Sequence, residues 1–241
     1  ATAAVVLIYT SNEVTTDFII DDITETDCTT DSFTTESTTV YGSTCTVAAD
    51  STPTVLVAAG AFSDASGNTN SVSNTYTWTQ DDTGPTMTIT STAGTADGGS
   101  SNVEAFALTF TSNEATSDFA VGDITSTGGD GCTLGGFSAS GGSTTVYVAT
   151  CTPDNAGETV NVLVAASTFT DAVANANSVS NTFDWTYDTT APTIGITSIA
   201  GDDYVNEDEY EDNGFDVVGS VSGANGQTVT VDYGGASSTC T

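Results

Sequence analysis

The chain contains no lysine, no arginine and no histidine, yet it carries 32 aspartates and glutamates among 241 residues, for a formal charge of −32. Soluble domains ordinarily hold about 25% charged residues of both signs. Each absence removes a kind of chemistry. Without histidine there is no Ser-His-Asp or Cys-His nucleophile and no imidazole proton shuttle. Without lysine there is no Schiff base and no phosphate-loop amine, and without arginine no clamp for carboxylate or phosphate. The uniform negative charge repels nucleic acid and anionic lipid. No apolar run approaches the length of a membrane span. What such a chain attracts is a cation, above all a hard divalent one that takes oxygen ligands.

Hydrophobic residues make up 37% and charged residues 13%, and Thr, Ser, Gly, Ala and Asn dominate the rest. β-branched and aromatic residues recur in alternation, which a disordered acidic tail would not show. Five cysteines occur, Cys28, Cys45, Cys132, Cys151 and Cys240. Four of them fall at equivalent places in an internal repeat. Matched pairs argue for disulfides and an oxidising compartment; buried free thiols are the alternative. Metal capture would call for histidine or a CxxC pair, and neither is present.

The repeat organises the chain. TSNEVTTDFIIDDI at 10–23 matches TSNEATSDFAVGDI at 111–124, with Asn12 and Asn113 101 residues apart. TVLVAAGAFSDASGNTNSVSNTYTW at 54–78 matches TVNVLVAASTFTDAVANANSVSNTFDW at 159–185, where Asp64 and Asp171, like Trp78 and Trp185, are 107 apart. The offset grows within the Gly/Ser-rich segment 127–143, which is expected to be a loop or hairpin tip. A period near 107 suits one immunoglobulin-sized sandwich per repeat. Strands are expected at 105–111, 119–124, 145–151, 160–165 and 181–187. In the last of these Phe183, Trp185 and Tyr187 share one face, the period of two that marks a half-buried strand. Both tryptophans are expected in the core.

The expected class is all-β, as tandem immunoglobulin-like β-sandwich domains: 1–82 as a first repeat lacking its opening strand, 83–189 as a second, and 190–241 as part of a domain of another subtype. Ala1 is not expected to be a biological start. The absent opening strand also allows one chain's strand to complete the next chain's sandwich; simple truncation of a longer chain explains it with fewer assumptions.

Phe106–Glu114, Asp118–Thr125, Thr170–Thr182 and Asp188–Thr193 together read F-x-x-x-F-x-S-N-E, DFxxxDIT, TDAxxNxNxVSNT and DTTAPT. This series resembles the bacterial Ig-like repeats of large surface adhesins, and the IAGDDxVNxxE opening of the third unit resembles a sister type. The resemblance covers nearly the whole chain. It implies modules strung along a secreted or surface-attached chain as stalks, spacers or adhesive segments, with calcium often stiffening the junctions. The cysteines and the missing cations depart from that pattern, and also suit other extracellular fibres.

In a sandwich, the B–C and F–G loops meet the incoming linker at one pole. For the second repeat that gathers Glu114, Asp171 and Asn175 with Asp81 and Asp82 of the linker. Calcium takes six to eight oxygens at about 2.3–2.6 Å in irregular geometry, and converging carboxylates without counter-charge raise one another's pKa or recruit an ion. The first repeat offers Glu13, Asp64 and Asn68, and the second junction Asp188, Asp202 and Asp203. The competing reading is that these Asp and Asn residues only satisfy turn backbone. The acidic run Glu207, Asp208, Glu209, Glu211 and Asp212 reads as a solvated face. Disulfides Cys28–Cys45 and Cys132–Cys151 would close loops of similar size.

These readings predict a non-catalytic extracellular stalk, spacer or fibre segment at the cell surface, with calcium as its ion and other copies or domains of the same fibre as partners. No nucleic-acid partner and no membrane insertion are expected. The alternative is a carbohydrate- or ligand-binding sandwich, which needs exposed aromatics; Tyr204 and Tyr210 are candidates, as are Trp78 and Trp185 if they reach solvent. A glycosidase-like pair of carboxylates does not stand out from the repeated pattern.

Overall fold

The computed structural model describes residues 4–91, 96–208, 215–223, 227–233 and 236–240. Its architecture is all-β. In the first repeat, β1 (Ala4–Thr10), β4 (Val40–Val47) and β3 (Cys28–Thr35) form one antiparallel sheet in the order β1-β4-β3. Facing strands β2 (Ile23–Thr26), β5 (Thr54–Val57) and β6 (Tyr76–Thr77) form the second, in the order β2-β5-β6. The second repeat builds the same two layers one strand wider. β11 (Cys132–Ala139), β12 (Val146–Pro153), β9 (Phe106–Ser112) and β7 (Met87–Ser91) form one sheet, in that order. β10 (Ile124–Thr127), β13 (Thr159–Val164), β14 (Phe183–Tyr187) and β8 (Gly99–Ser101) form the other. Beyond them lie two hairpins, β15 (Thr193–Ile199) with β16 (Val217–Ser222) and β17 (Val229–Tyr233) with β18 (Ala236–Cys240).

The second repeat has a closed core. Inward positions of β9 alternate with outward ones, so Phe106, Leu108 and Phe110 are buried against Val160, Val162 and Val164 of β13 and Trp185 of β14. The Phe106 and Trp185 rings lie 4.3 Å apart. Met87 and Ile89 of β7 seal the edge. The first repeat has the same inward pattern but no counterpart of β7 or β8 among the described residues. Val5 and Tyr9 are accordingly only half-buried, Tyr76 is exposed, and Trp78 is a half-buried wall of the core rather than its centre. On the outer face of β1, Val6 is 73% exposed.

Cys28 and Cys45 form one disulfide and Cys132 and Cys151 another, with Cα–Cα separations of 5.8 and 5.6 Å. Each staples neighbouring antiparallel strands, β3 to β4 and β11 to β12, with Cys45 and Cys151 wholly buried. The Cys240 side chain lies outside the described residues.

Two local expectations need correction. Of residues 119–124 only Ile124 lies in a strand, as the first residue of β10. A single 3-10 turn forms at Val121–Asp123, because the Asp123 carboxylate accepts the Ala120 N–H at 2.8 Å while the Asp123 N–H closes back on the Ala120 carbonyl at 3.0 Å. Phe119 enters the core from this turn. Nor is 127–143 only a loop: β11 runs through it, paired with β12 around an irregularity between Gly135 and Ser138. The disulfide and the ladder to β12 hold a strand that its glycines do not advertise.

Because Leu108 sits in the closed core, Leu108→Ala should lower unfolding stability by about 2–5 kcal/mol in urea titrations. Val6→Thr, on an open face, should change it by no more than about 0.5 kcal/mol.

Candidate functional site

The chain between the two repeats is held from both sides. Asp50, in the turn between β4 and β5, accepts the Asp82 N–H at 2.8 Å and the Thr83 hydroxyl at 2.5 Å. The Thr83 hydroxyl and the Asp82 amide together hold the Asp50 carboxyl below its ordinary pKa. From the other side, the Asn175 amide donates to the Asp81 carbonyl at 3.0 Å and the Thr83 carbonyl at 3.4 Å. Gly84 lies flat against the backbone of Ala176, where a Cβ would collide with the Ala176 carbonyl oxygen; only glycine allows so close an approach.

At this clasp three carboxylates converge. Oxygens of Asp81, Glu114 and Asp171 all lie within 4.8 Å of one another, with Asp171 buried and the other two half-buried. Asp171 caps its own loop: one oxygen accepts the Val173 and Asn175 N–H groups at 2.8 and 2.9 Å, and the other accepts the Asn175 amide at 2.9 Å. Burial pushes its pKa up, but these bonds, led by those from Asn175, outweigh it and hold the group ionised below the ordinary carboxylate range. Glu114 accepts from the Asn113 amide at 3.0 Å. Asp81 accepts the Thr83 N–H at 3.2 Å. Thus the polar pole contains three acids and, for positive charge, only amide dipoles. Asn175 presents its NH₂ to Asp171; the opposite amide orientation would present its oxygen to the same space.

The other expected ligands are placed differently. Asp82 turns away and accepts the Gln80 amide at 3.0 Å. In the first repeat, Asp64 makes the same loop cap as Asp171, accepting the Ser66 and Asn68 N–H groups and the Asn68 amide, each at 2.8 Å. Glu13 bonds through its N–H to the Ser11 hydroxyl, and it borders the same groove as Asp64 and Asn68. At the second junction, Asp188 accepts the Thr190 N–H, Asp202 the Tyr204 N–H and Asp203 the Ile199 N–H. Each serves its own turn. Among the described residues, Asp81, Glu114 and Asp171 are the only acidic group of three that meets. Glu207 and Asp208 are exposed, while Glu209, Tyr210, Glu211 and Asp212 lie outside the described residues.

Several anchoring residues escaped the sequence reading. Asp118 accepts the Thr170 N–H at 3.0 Å, the Thr170 hydroxyl at 2.8 Å and the Thr116 hydroxyl at 3.0 Å, tying two loops 52 positions apart. Asp17 does the same with Ser63 and Thr15, at 2.6 Å and 2.7 Å to their hydroxyls. The Ser63 hydroxyl, then the Thr15 hydroxyl and the Ser63 N–H, hold the Asp17 carboxyl down at about 2. Asn177 is buried with its amide fully satisfied by Thr168, Phe169, Ala165 and Ser178. The repeated T-x-D-F motif was the available signal for the first two.

The family comparison can now be set beside this geometry. Residues 81–187 match the model of the bacterial Ig-like domain. This segment of the chain belongs to that family. The matched stretch begins in the clasped linker, with Asp81, and ends with Tyr187 of β14. A solved structure of Yersinia pseudotuberculosis InvD is similar at 18% identity with a TM-score of 0.37, covering 81% of this chain and 58% of that one. The chain thus spans less than two thirds of that relative. No curated protein matches the chain.

The depressed pKa of Asp17 has a pH signature. Its folded value, about 2, lies below the ordinary 3.8, so its contribution is complete above the unfolded pKa and is lost as pH falls through the folded one. Asp17→Ala should lower the melting temperature at neutral pH. By calorimetry, the gap to the parent should close between about pH 4 and pH 2.

Proposed function

We propose that this protein is a non-catalytic structural segment of an extracellular or cell-surface chain, a stalk or spacer whose first junction is stiffened by calcium. The observation that carries the reading is the clasp: the linker is bonded to Asp50 on one side and Asn175 on the other, and the acids Asp81, Glu114 and Asp171 meet beside it. The donor set fits a calcium ion chemically, being carboxylate oxygens with a backbone carbonyl at hand and no lysine, arginine or histidine anywhere in the chain to compete. In this reading Asp81 brings the linker to the ion, while Glu114 and Asp171 bring the domain. Bound there, calcium would neutralise the acids and tie linker to domain.

Membership of residues 81–187 in the bacterial Ig-like family supports a surface-module role. Two disulfides favour an oxidising compartment. No helix among the described residues is long and apolar enough to cross a membrane. The glycan-binding alternative draws less support, because Trp185 is fully buried and Trp78 half-buried, which leaves Tyr204 as an exposed aromatic without a tryptophan platform.

Differential scanning calorimetry tests the reading. Millimolar calcium should raise the melting temperature of the chain by several degrees, and equimolar magnesium should not. Asp171→Asn combined with Glu114→Gln should abolish the rise. An equal response in that variant would refute a site at these residues.

A further inference from the structure

In the second repeat the entering chain, 81–101, and the leaving chain, 175–188, run side by side in the same direction. They are bonded at intervals from the clasp to the exit. At the clasp the Asn175 amide donates to the carbonyls of Asp81 and Thr83. Next, the Ser178 N–H donates to the Pro85 carbonyl at 3.0 Å. Asn181 then grips β7 with both ends of its amide: Oδ1 accepts the Ile89 N–H at 2.7 Å and Nδ2 donates to the Ile89 carbonyl at 3.1 Å. Further along, the Asp97 carboxylate accepts the Asp184 N–H at 2.8 Å, and the Asp184 carbonyl accepts the Gly98 N–H at 2.8 Å. The parallel pairing of β8 with β14 completes the line, Trp185 opposite Gly99 and Tyr187 opposite Ser101. The Asp188 N–H closes it on the Ser101 carbonyl at 3.0 Å.

Parallel alignment decides how this seam meets tension. A pull along the chain draws 81–101 backward from its N-terminal end and 175–188 forward from its C-terminal end. The two segments are driven to slide along each other, so the bonds between them are loaded together. An antiparallel hairpin pulled at its open end instead peels one bond at a time. Single hydrogen bonds contribute little net stability; a line of them loaded in shear has to fail as a unit. Both loaded ends belong to the seam, so the buried cluster around Leu108 and Trp185 bears the pull only after the seam has parted.

We propose that this seam is the element by which the domain carries end-to-end tension, with Asn181 as its rivet. Force passes from the entering linker through β7 and Asn181 into β14 and out at Asp188, bypassing the core. This role deepens the stalk reading, since tension along the chain is the load a stalk meets, and it needs no ion.

Force-clamp measurements on the full chain, held by tags at its two ends and kept in chelator, test this. With Cys132→Ser and Cys151→Ser together, the unfolding step of the second repeat alone should lengthen by about 63–68 Å, for 19 positions released at about 3.3–3.6 Å each. That change identifies the step. Asn181→Ala should raise its rate at fixed tension about tenfold, for the two bonds lost. Asp97→Ala should speed it as well. Both side chains are exposed, so the fold persists, as circular dichroism should verify. At the barrier under tension the seam is broken while the core is still packed. Leu108→Ala should therefore speed the step less than Asn181→Ala does, for each unit of stability lost in urea. An equal or greater effect of Leu108→Ala on that scale overturns the proposal. So does a rate that neither Asn181→Ala nor Asp97→Ala changes. Calcium is absent throughout, so either result is distinct from a failure of the calcium-dependent rise in melting temperature.

Discussion

Every carboxylate in this protein must be settled without a cationic side chain, and that constraint shapes its loops. The answer is local and neutral. Asp22 and Asp123 accept backbone N–H groups three residues earlier. Asp64 and Asp171 cap the loops they begin. Asp97 reaches the Asp184 N–H across the domain. Asp17, Asp118 and Asp50 bind hydroxyls and amides of segments far away in sequence. Hydrogen bonds to an ionised acceptor are stronger than neutral ones, so the acids here act as staples between loops. Threonine and serine, abundant in the chain, are the donors that make this possible.

The pole of the Ig-like domain is where that solution runs out. Asp81, Glu114 and Asp171 come together because three segments that each have a reason to be there converge. The linker is clasped by Asp50 and Asn175, the SNE turn ends β9, and the TDAVAN loop is drawn in by Asp118 through Thr170. Gly84 lets the linker lie against Ala176. Amide dipoles from Asn113 and Asn175 offset part of the charge. A divalent cation would offset the rest. Away from this pole the same logic leaves no comparable group among the described residues, since Asp188, Asp202 and Asp203 each find a backbone donor close by.

Much of this was legible in the sequence. Alternation of Phe183, Trp185 and Tyr187 marked β14, and the paired cysteines marked the two staples. Placing Glu114, Asp171 and Asn175 beside Asp81 required only the repeat and the loop geometry of a sandwich. What stayed hidden was contextual. Trp78 repeats Trp185 in sequence, yet it is half-buried, because the strands that seal the second repeat have no described counterpart in the first. Strand β11 was obscured by its glycines and is held by a ladder to β12 and a disulfide. The turn at Val121–Asp123 depends on a side-chain bond from Asp123 that an apolar run does not reveal. Asp17 and Asp118 looked like ordinary surface acids, since their partners lie 46 and 52 positions away.

The central claim is that many of the 32 acids are held by hydrogen-bond donors of neighbouring loops, and the proposal built on it is that an ion binds where Asp81, Glu114 and Asp171 meet. Equilibrium dialysis of the intact chain against calcium, in about 0.15 M sodium chloride to screen diffuse attraction, measures this directly. The account predicts saturable uptake of close to one calcium per chain. Uptake that rises without saturation, as a charged surface would give, or no uptake above the salt background, would contradict it.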